Sequence, residues 1–135
     1  MTKSILLCDD EIPVLRAAEF KFQHAGYDVR TAGDGEEGWE AILARKPDIV
    51  ITDCQMPRLD GFGLVRRIRE NPATADLPVL MLTAKGFELN RDELMLQWNV
   101  LDVIGKPFSP RGLLQRVEAI LEAVGSGKPA DGAGG

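Results

Sequence analysis

Short apolar runs recur along this 135-residue chain, and several of them end at a residue that can do chemistry. These residues carry three carboxylates, one hydroxyl and one ammonium, and they are Asp9, Asp10, Asp53, Thr83 and Lys106. Filling a hydrophobic core explains none of them, because charged and polar groups are costly to bury without partners. Three clustered carboxylates repel one another and favour a hard divalent cation such as Mg²⁺. The set therefore predicts a site for Mg²⁺-assisted phosphoryl transfer, with Asp53 as the nucleophile.

The chemistry of phosphoryl transfer suggests a role for each remaining group. The transferred group spreads charge over its equatorial oxygens, and a metal ion and an ammonium neutralise that charge. Lys106 supplies the ammonium, Thr83 supplies a hydroxyl donor, and Ala84 beside it leaves room for a phosphodonor. Without metal, repulsion is expected to raise the pKa of at least one of the three carboxyls, and Mg²⁺ is expected to lower it again.

The apolar runs that precede these groups predict the strands that position them. Residues 4–8, 48–52 and 77–82 are almost continuously apolar, which is typical of parallel strands buried on both faces. Residues 101–104 predict a further strand, and the more polar residues 27–32 predict one near a sheet edge. Because ligands bind beyond the carboxyl ends of parallel strands, the chemical groups are expected to converge at one edge.

Amphipathic segments between these strands predict five helices. Asp34 and Ser109 are expected to cap the second and fifth helices, and residues 88–98 predict a fourth helix. Asn99 follows as a left-handed cap of that helix. Strands that alternate with helices predict an α/β domain with a doubly wound parallel sheet.

Composition bounds the class of protein. The chain has a formal net charge of −5 and a pI near 4.9, which disfavours direct binding to nucleic acid. Cys8 and Cys54 form no disulfide framework, so we expect buried thiols in a reducing cytosol. No targeting segment or membrane span is apparent, and we predict a cytoplasmic protein. Residues 1–124 are expected to form one domain, and the glycine-rich residues 125–135 a disordered tail or linker.

Residues 33–38 match the glycine pattern of a dinucleotide-binding loop and lie between a predicted strand and a predicted helix. Such a loop needs open N–H groups and a positive helix start for the pyrophosphate. Here Asp34, Glu36 and Glu37 would repel that anion. The segment is therefore interpreted as a turn with a helix cap.

Taken together, the motifs of this chain resemble the receiver (CheY-like) domain of two-component response regulators. The resemblance covers residues 3–123. The motifs that carry it are Asp9-Asp10, Asp53 with Met56-Pro57 and Asp60-Gly61, Thr83-Ala84, and Lys106-Pro107-Phe108. It implies a flavodoxin-like α/β fold, a doubly wound sheet of five parallel strands in the order 2-1-3-4-5 with five helices.

The resemblance also implies a function. Asp53 would accept a phosphoryl group from the phosphohistidine of a histidine kinase or phosphotransfer protein. Mg²⁺ would be held by Asp10, Asp53 and the main-chain carbonyl of Gln55, with Asp9 assisting through water. Such a domain is not an enzyme beyond its own phosphorylation and slow dephosphorylation. It would switch the surface of the fourth helix, fifth strand and fifth helix toward a downstream target or output domain, with a phosphorylation-dependent homodimer left open.

Two departures from the family pattern bear on the readout, and one alternative function stays open. Val103 stands where the family usually has an aromatic switch residue, and valine is too small and stiff to rotate in that way. Trp98 stands near the end of the predicted fourth helix, where family members mostly carry a small residue. It is interpreted either as core packing or as an exposed anchor for a partner.

The alternative function is that of an Asp-nucleophile phosphohydrolase. Such enzymes commonly carry an acid two positions after the nucleophile, where this chain has Gln55.

Overall fold

The computed structural model describes residues 2–84 and 91–125, which alternate strands with helices as predicted. The strands are β1 Ser4–Cys8, β2 Asp28–Ala32, β3 Ile49–Asp53, β4 Val79–Thr83 and β5 Asp102–Gly105. The helices are α1 Ile12–His24, α2 Gly35–Ala44, α3 Gly61–Glu70, α4 Arg91–Gln97 and α5 Pro110–Gly125.

The strands form a parallel sheet in the order β2-β1-β3-β4-β5, which confirms the doubly wound order and the edge position of β2. Predicted strand ends differ by one or two residues. β3 includes Asp53, because its pairing with β4 continues to the Asp53–Leu82 register. β4 begins at Val79 rather than Leu77, because Pro78 has no N–H for the ladder and Leu77 donates to Thr74 in the preceding turn.

Each face of the sheet is covered by helices and has its own hydrophobic cluster. On one face, alternate residues of β1, β3 and β4 pack against α1 and α5, whose buried side chains include Phe22 and Val117. On the other face, the intervening residues pack against α2, α3 and α4, including Ile42, Leu64 and Leu94. Because both faces of every central strand are buried, these strands are almost continuously apolar in the sequence.

The predicted helix caps are confirmed where the structure describes them. The side chain of Asp34 accepts from the Glu37 N–H at 2.8 Å, and Ser109 Oγ accepts from the Gly112 N–H at 3.2 Å. Asn99 has a left-handed φ of 54°, as expected after α4. Residues 88–90 of the predicted fourth helix and residues 126–135 of the predicted tail lie outside the described residues, whereas Gly125, the first residue of the predicted tail, is the last residue of α5.

Three further interpretations can be compared with the structure. Trp98 is half-buried and packs against the cluster under α3, with the Arg66 guanidinium 5.6 Å from its ring centroid, which favours core packing. Cys8 and Cys54 are buried free thiols. Among the helices within residues 2–84 and 91–125, none is long and apolar enough to cross a membrane.

Candidate functional site

The carboxyl ends of β1, β3, β4 and β5 bring the predicted chemical residues to one edge of the sheet. Asp53 is the last residue of β3, and Thr83 is the last residue of β4. Asp9 continues β1 by donating its N–H to Ala32 O at 3.0 Å, and Lys106 continues β5 by donating to Thr83 O at 2.7 Å. The side chains are therefore positioned by sheet register rather than by loops alone.

Asp9, Asp10 and Asp53 form a cluster in which one carboxylate oxygen from each lies within 4.8 Å of the others. Asp9 and Asp53 are buried, whereas Asp10 is exposed. One oxygen of Asp9 accepts the Glu11 N–H at 2.9 Å, and the other, Oδ2, lies 2.7 Å from the Lys106 ammonium. Convergent carboxylate oxygens form a donor set of the kind that binds Mg²⁺, so the residues fit this ion.

The environment of Asp53 disfavours its charged form. Burial raises the pKa of Asp53 from its ordinary 3.8 to about 6, with the Asp9 charge as the next cause. Asp10 adds to the rise, and the Lys106 ammonium opposes it. The predicted rise is present, but removal from water contributes more to it than the predicted repulsion does.

Lys106 faces three carboxylates at once. Its Nζ lies 2.7 Å from Asp9 Oδ2, 3.3 Å from Asp53 Oδ1 and 3.3 Å from Glu11 Oε2. The contact with Asp9 is the closest of the three, and the Glu11 carboxylate accepts a hydrogen bond from the same ammonium. Burial alone would lower the pKa of Lys106. The contact with Asp9, through hydrogen bonding and through charge, outweighs burial and raises the pKa, and Asp53 and Glu11 add to the rise.

Thr83 and Gln55 are less engaged than the charged groups. Thr83 is only partly buried, and its hydroxyl makes a long contact of 3.5 Å with Ala84 O. Gln55 follows β3 by two residues with an exposed side chain. The hydroxyl of Thr83 is thus at the site edge without being bound to Asp53, and the metal-ligating role of the Gln55 carbonyl stays a prediction.

The loop between β3 and α3 approaches Asp53 so closely that only glycine fits at its end. A Cβ atom on Gly61 would lie 2.1 Å from the carbonyl oxygen of Asp53. The Gly61 N–H donates to Cys54 O at 3.0 Å, and the following turn of helix is capped by Asp60. Arg58, in this loop, has a left-handed φ of 66° and pairs with Asp34 of the neighbouring helix start. Asp53 is therefore held by a tightly packed backbone.

A groove of about 540 Å³ opens beside Lys106, between the first turns of α1 and the β5–α5 connection. Its walls are mostly apolar, with Val14 and Ala17 on one side and Phe108 and Pro110 on the other. Glu11 and Lys106 also line this groove. The groove therefore borders the Lys106 ammonium, which contacts the carboxylate cluster.

Glu11 is the site residue that sequence reasoning did not assign. The run of three acids was visible, but nothing in it indicated which acid contacts a lysine 95 positions away. Glu11 is the N-cap residue of α1 in extended conformation, and its side chain is 57% exposed. Its adjacency to the other two acids was the only sequence signal.

On the side of the sheet edge near β5, Val103 is a buried core residue. Next to it, Asp102 accepts from Arg116 Nε of α5 at 2.8 Å, and an Asp102 oxygen lies 3.6 Å from a guanidinium nitrogen of Arg91 in α4. Arg91 also donates to the carbonyl oxygen of Val103. These contacts tie α4, β5 and α5 together through one acidic residue.

Comparisons with known proteins agree with this geometry. A family model described as "Response regulator receiver domain" matches residues 5–118. The chain is 38% identical over 125 residues, 93% of its length and 54% of the relative's, to the phosphate regulon transcriptional regulatory protein PhoB of Pseudomonas aeruginosa. It is 40% identical over 121 residues, 90% of its length and 49% of the relative's, to the alkaline phosphatase synthesis transcriptional regulatory protein PhoP of Bacillus subtilis. The chain thus spans about half the length of the curated relatives it matches.

Solved structures are similar over nearly the whole chain. The chemotaxis response regulator CheY4 of Vibrio cholerae superposes with a TM-score of 0.79 at 28% identity, covering 87% of this chain and 98% of that one. A response regulator receiver domain protein from Clostridium thermocellum superposes with a TM-score of 0.80 at 27% identity, covering 92% and 98%.

Proposed function

Because the chain belongs to the response regulator receiver domain family, whose members are regulatory domains of two-component signalling, we propose that Asp53 accepts a phosphoryl group from a histidine kinase or phosphotransfer protein. The observation that carries this proposal is the meeting of Asp53 with two further carboxylates and the Lys106 ammonium at one sheet edge. A carboxylate nucleophile flanked by a cation is the arrangement that phosphoryl transfer to an aspartate requires.

In the proposed step, an Asp53 carboxylate oxygen forms a bond to phosphorus while the bond from phosphorus to the histidine nitrogen breaks. The nitrogen keeps the electron pair and takes up a proton, and the phosphoryl group stays on Asp53. Lys106 neutralises charge on a phosphoryl oxygen, which its position 3.3 Å from Asp53 Oδ1 supports. The Thr83 hydroxyl donates a hydrogen bond to another phosphoryl oxygen, since Thr83 is the last residue of β4, the strand beside β3.

Asp9, Asp10, Asp53 and the main-chain carbonyl of Gln55 are the residues that would hold Mg²⁺. Its fit rests on the clustered carboxylate oxygens, two of which belong to the buried side chains of Asp9 and Asp53. When bound, Mg²⁺ supplies positive charge that neutralises the carboxylates and the phosphoryl oxygens. The protein's own contribution is to orient Asp53 through β3 and Gly61 and to place Lys106 opposite it.

The signal would be read at the surface of α4, β5 and α5. Phosphorylation adds about −1.5 to −2 charge at pH 7, and Lys106 responds to that charge at the end of β5. Since Val103 is buried and small, we propose that the readout passes through Asp102 and its contacts to Arg91 and Arg116. Chemical-shift changes caused by beryllofluoride, concentrated in α4, β5 and α5 and reduced in Asp102→Asn, would support this; changes confined to the site would contradict it.

Response regulators act on output targets, and the PhoB and PhoP relatives are named as transcriptional regulators. For this chain we propose a protein target or an output domain rather than direct nucleic-acid contact by residues 1–124, because the net charge is −5. Residues 125–135 would serve as a linker or tail. The buried free thiols fit a reducing cytoplasm.

The proposal is tested by incubating the protein with acetyl phosphate and Mg²⁺ and measuring its intact mass. The wild type is expected to gain one phosphoryl group, and Asp53→Asn is expected to gain none. Asp60→Asn is the matched control, since it makes the same chemical change at a helix cap and is expected to be phosphorylated normally. No adduct on the wild type would overturn the proposal, and sustained turnover of a phosphomonoester would favour the phosphohydrolase. Sedimentation with and without beryllofluoride tests for a phosphorylation-dependent homodimer.

A further inference from the structure

Lys106 has a third partner that the proposed chemistry does not use. The Glu11 carboxylate accepts a hydrogen bond from the Lys106 ammonium at 3.3 Å, across 95 residues of sequence. Both residues line the groove beside α1, and Lys106 also contacts Asp9 and Asp53. Glu11 therefore lies next to the carboxylate cluster, and it binds the cation that the phosphoryl group needs.

The three partners of Lys106 differ in what it costs to release them. The side chain of Asp9 is 2% exposed, so removing the ammonium from it would leave a buried carboxylate without its counter-ion. Asp53 is 9% exposed and is the phosphoacceptor itself. Glu11 is 57% exposed, so water can replace the lysine at its carboxylate with little loss. Glu11 is thus the partner that an incoming phosphoryl oxygen displaces.

We propose that Glu11 is a positioning residue that holds the Lys106 ammonium in its unphosphorylated pose and thereby slows the phosphorylation of Asp53. This inference rests on the proposed function and deepens it. Glu11 neither gains nor loses a proton in the step; the phosphoryl group moves from donor to Asp53, and the Lys106 hydrogen bond moves from Glu11 to a phosphoryl oxygen. The exposed contact between Glu11 and Lys106 contributes little to the free energy of unfolding. It slows phosphorylation because it must open before Lys106 can bind a phosphoryl oxygen.

Substituting Glu11 does not endanger the fold. The side chain makes no capping hydrogen bond to α1 within the described residues, and the contact with Asp9 uses the backbone N–H of Glu11, which any substitution other than proline retains. The residue can therefore be changed in length while its charge is kept.

Glu11→Asp is the informative variant, because it keeps the negative charge and withdraws it by about 1.5 Å, one carbon–carbon bond. The hydrogen bond is already long at 3.3 Å, so aspartate loses it. At saturating concentrations of Mg²⁺ and of acetyl phosphate, we expect Glu11→Asp to be phosphorylated about two- to fivefold faster than the wild type. Glu11→Ala is expected to be accelerated at least as much.

Glu40→Asp is the matched control, since Glu40 is an exposed glutamate of α2 on the opposite face of the sheet, and its rate is expected to equal that of the wild type. The NMR signal of the Lys106 Cε group is expected to shift in Glu11→Asp and to stay unchanged in Glu40→Asp. A merely structural role of Glu11 would not move that signal.

The outcomes distinguish an effect of the contact between Glu11 and Lys106 from simple charge repulsion, and they distinguish failure of this inference from failure of the proposed function. If Glu11→Ala is accelerated and Glu11→Asp is not, the charge alone acts and the inference is overturned. Equal rates for all variants, or an unchanged Lys106 signal, overturn it as well. A wild type that gains no phosphoryl group at all instead removes the proposed function on which the inference rests.

Discussion

Replacing Asp53, the proposed phosphoacceptor, with asparagine is expected to stabilise the metal-free protein. Asp53 is buried among other acids, so folding disfavours its charged form and its pKa rises from 3.8 to about 6. That difference corresponds to about 3 kcal/mol at about 1.36 kcal/mol per pKa unit. Water at the rim of the site screens these charges, so we expect Asp53→Asn to add about 1–2 kcal/mol to the free energy of unfolding.

The pH dependence of this effect has a defined sign. A carboxyl whose pKa is higher in the folded state destabilises the fold only where the unfolded chain is ionised. The penalty in the wild type is therefore absent well below pH 3.8, grows as the pH rises from 3.8 to about 6, and is complete above that value. The advantage of Asp53→Asn should follow the same curve.

Urea denaturation of metal-free wild type and Asp53→Asn at pH 7.5 and at pH 4 measures the effect. Asn keeps the shape of the side chain, and Lys106 retains its contacts with Asp9 and Glu11. Asp60→Asn is the control, because asparagine caps helices as well as aspartate does. Saturating Mg²⁺ should stabilise the wild type more than the variant. An equal or lower stability of Asp53→Asn at pH 7.5, or a difference that does not change with pH, would refute the reasoning.

Three further predictions concern the scaffold of the fold. Gly61→Ala is expected to lower the free energy of unfolding by about 2 kcal/mol or more, because its Cβ would lie 2.1 Å from the carbonyl oxygen of Asp53. Gly112→Ala in α5, whose Cβ meets nothing closer than 3.6 Å, should instead stabilise by up to about 1 kcal/mol in the same urea assay. Arg69 donates to four main-chain carbonyls, two just after α4 and two just before β4, so Arg69→Met should destabilise by about 3 kcal/mol. Arg66→Met, which loses a contact with an aromatic ring, should cost only about 0.5–1 kcal/mol, and equal losses for the two variants would contradict this ranking. Burial raises the pKa of the Cys8 and Cys54 thiols, that of Cys54 to about 12. A thiol reagent at pH 8 should therefore label the native protein slowly and the urea-unfolded protein fast. Rapid labelling of the native protein would contradict this, because it would show that the thiols are accessible.

Much of the site was readable from the chain because a parallel sheet places the ends of its strands together. The apolar runs identified the strands, and the residues after those runs, such as Asp9 and Lys106, then had to lie at one edge. The resemblance added the strand order, which the structure confirms. Strand ends were wrong by one or two residues, as at Asp53 and Leu77, because they depend on pairing with a neighbouring strand.

The amino-acid sequence by itself determined the class of fold and the identity of the chemical groups, since apolar periodicity and residue type are local properties. Only the tertiary structure decided which groups touch. The hydrogen bond from Lys106 to Glu11, the raised pKa of Asp53 and the close approach of Gly61 each depend on distances between segments that are remote in sequence. Such distances are fixed by how the sheet register and helix packing bring separate loops together, and no local pattern records them.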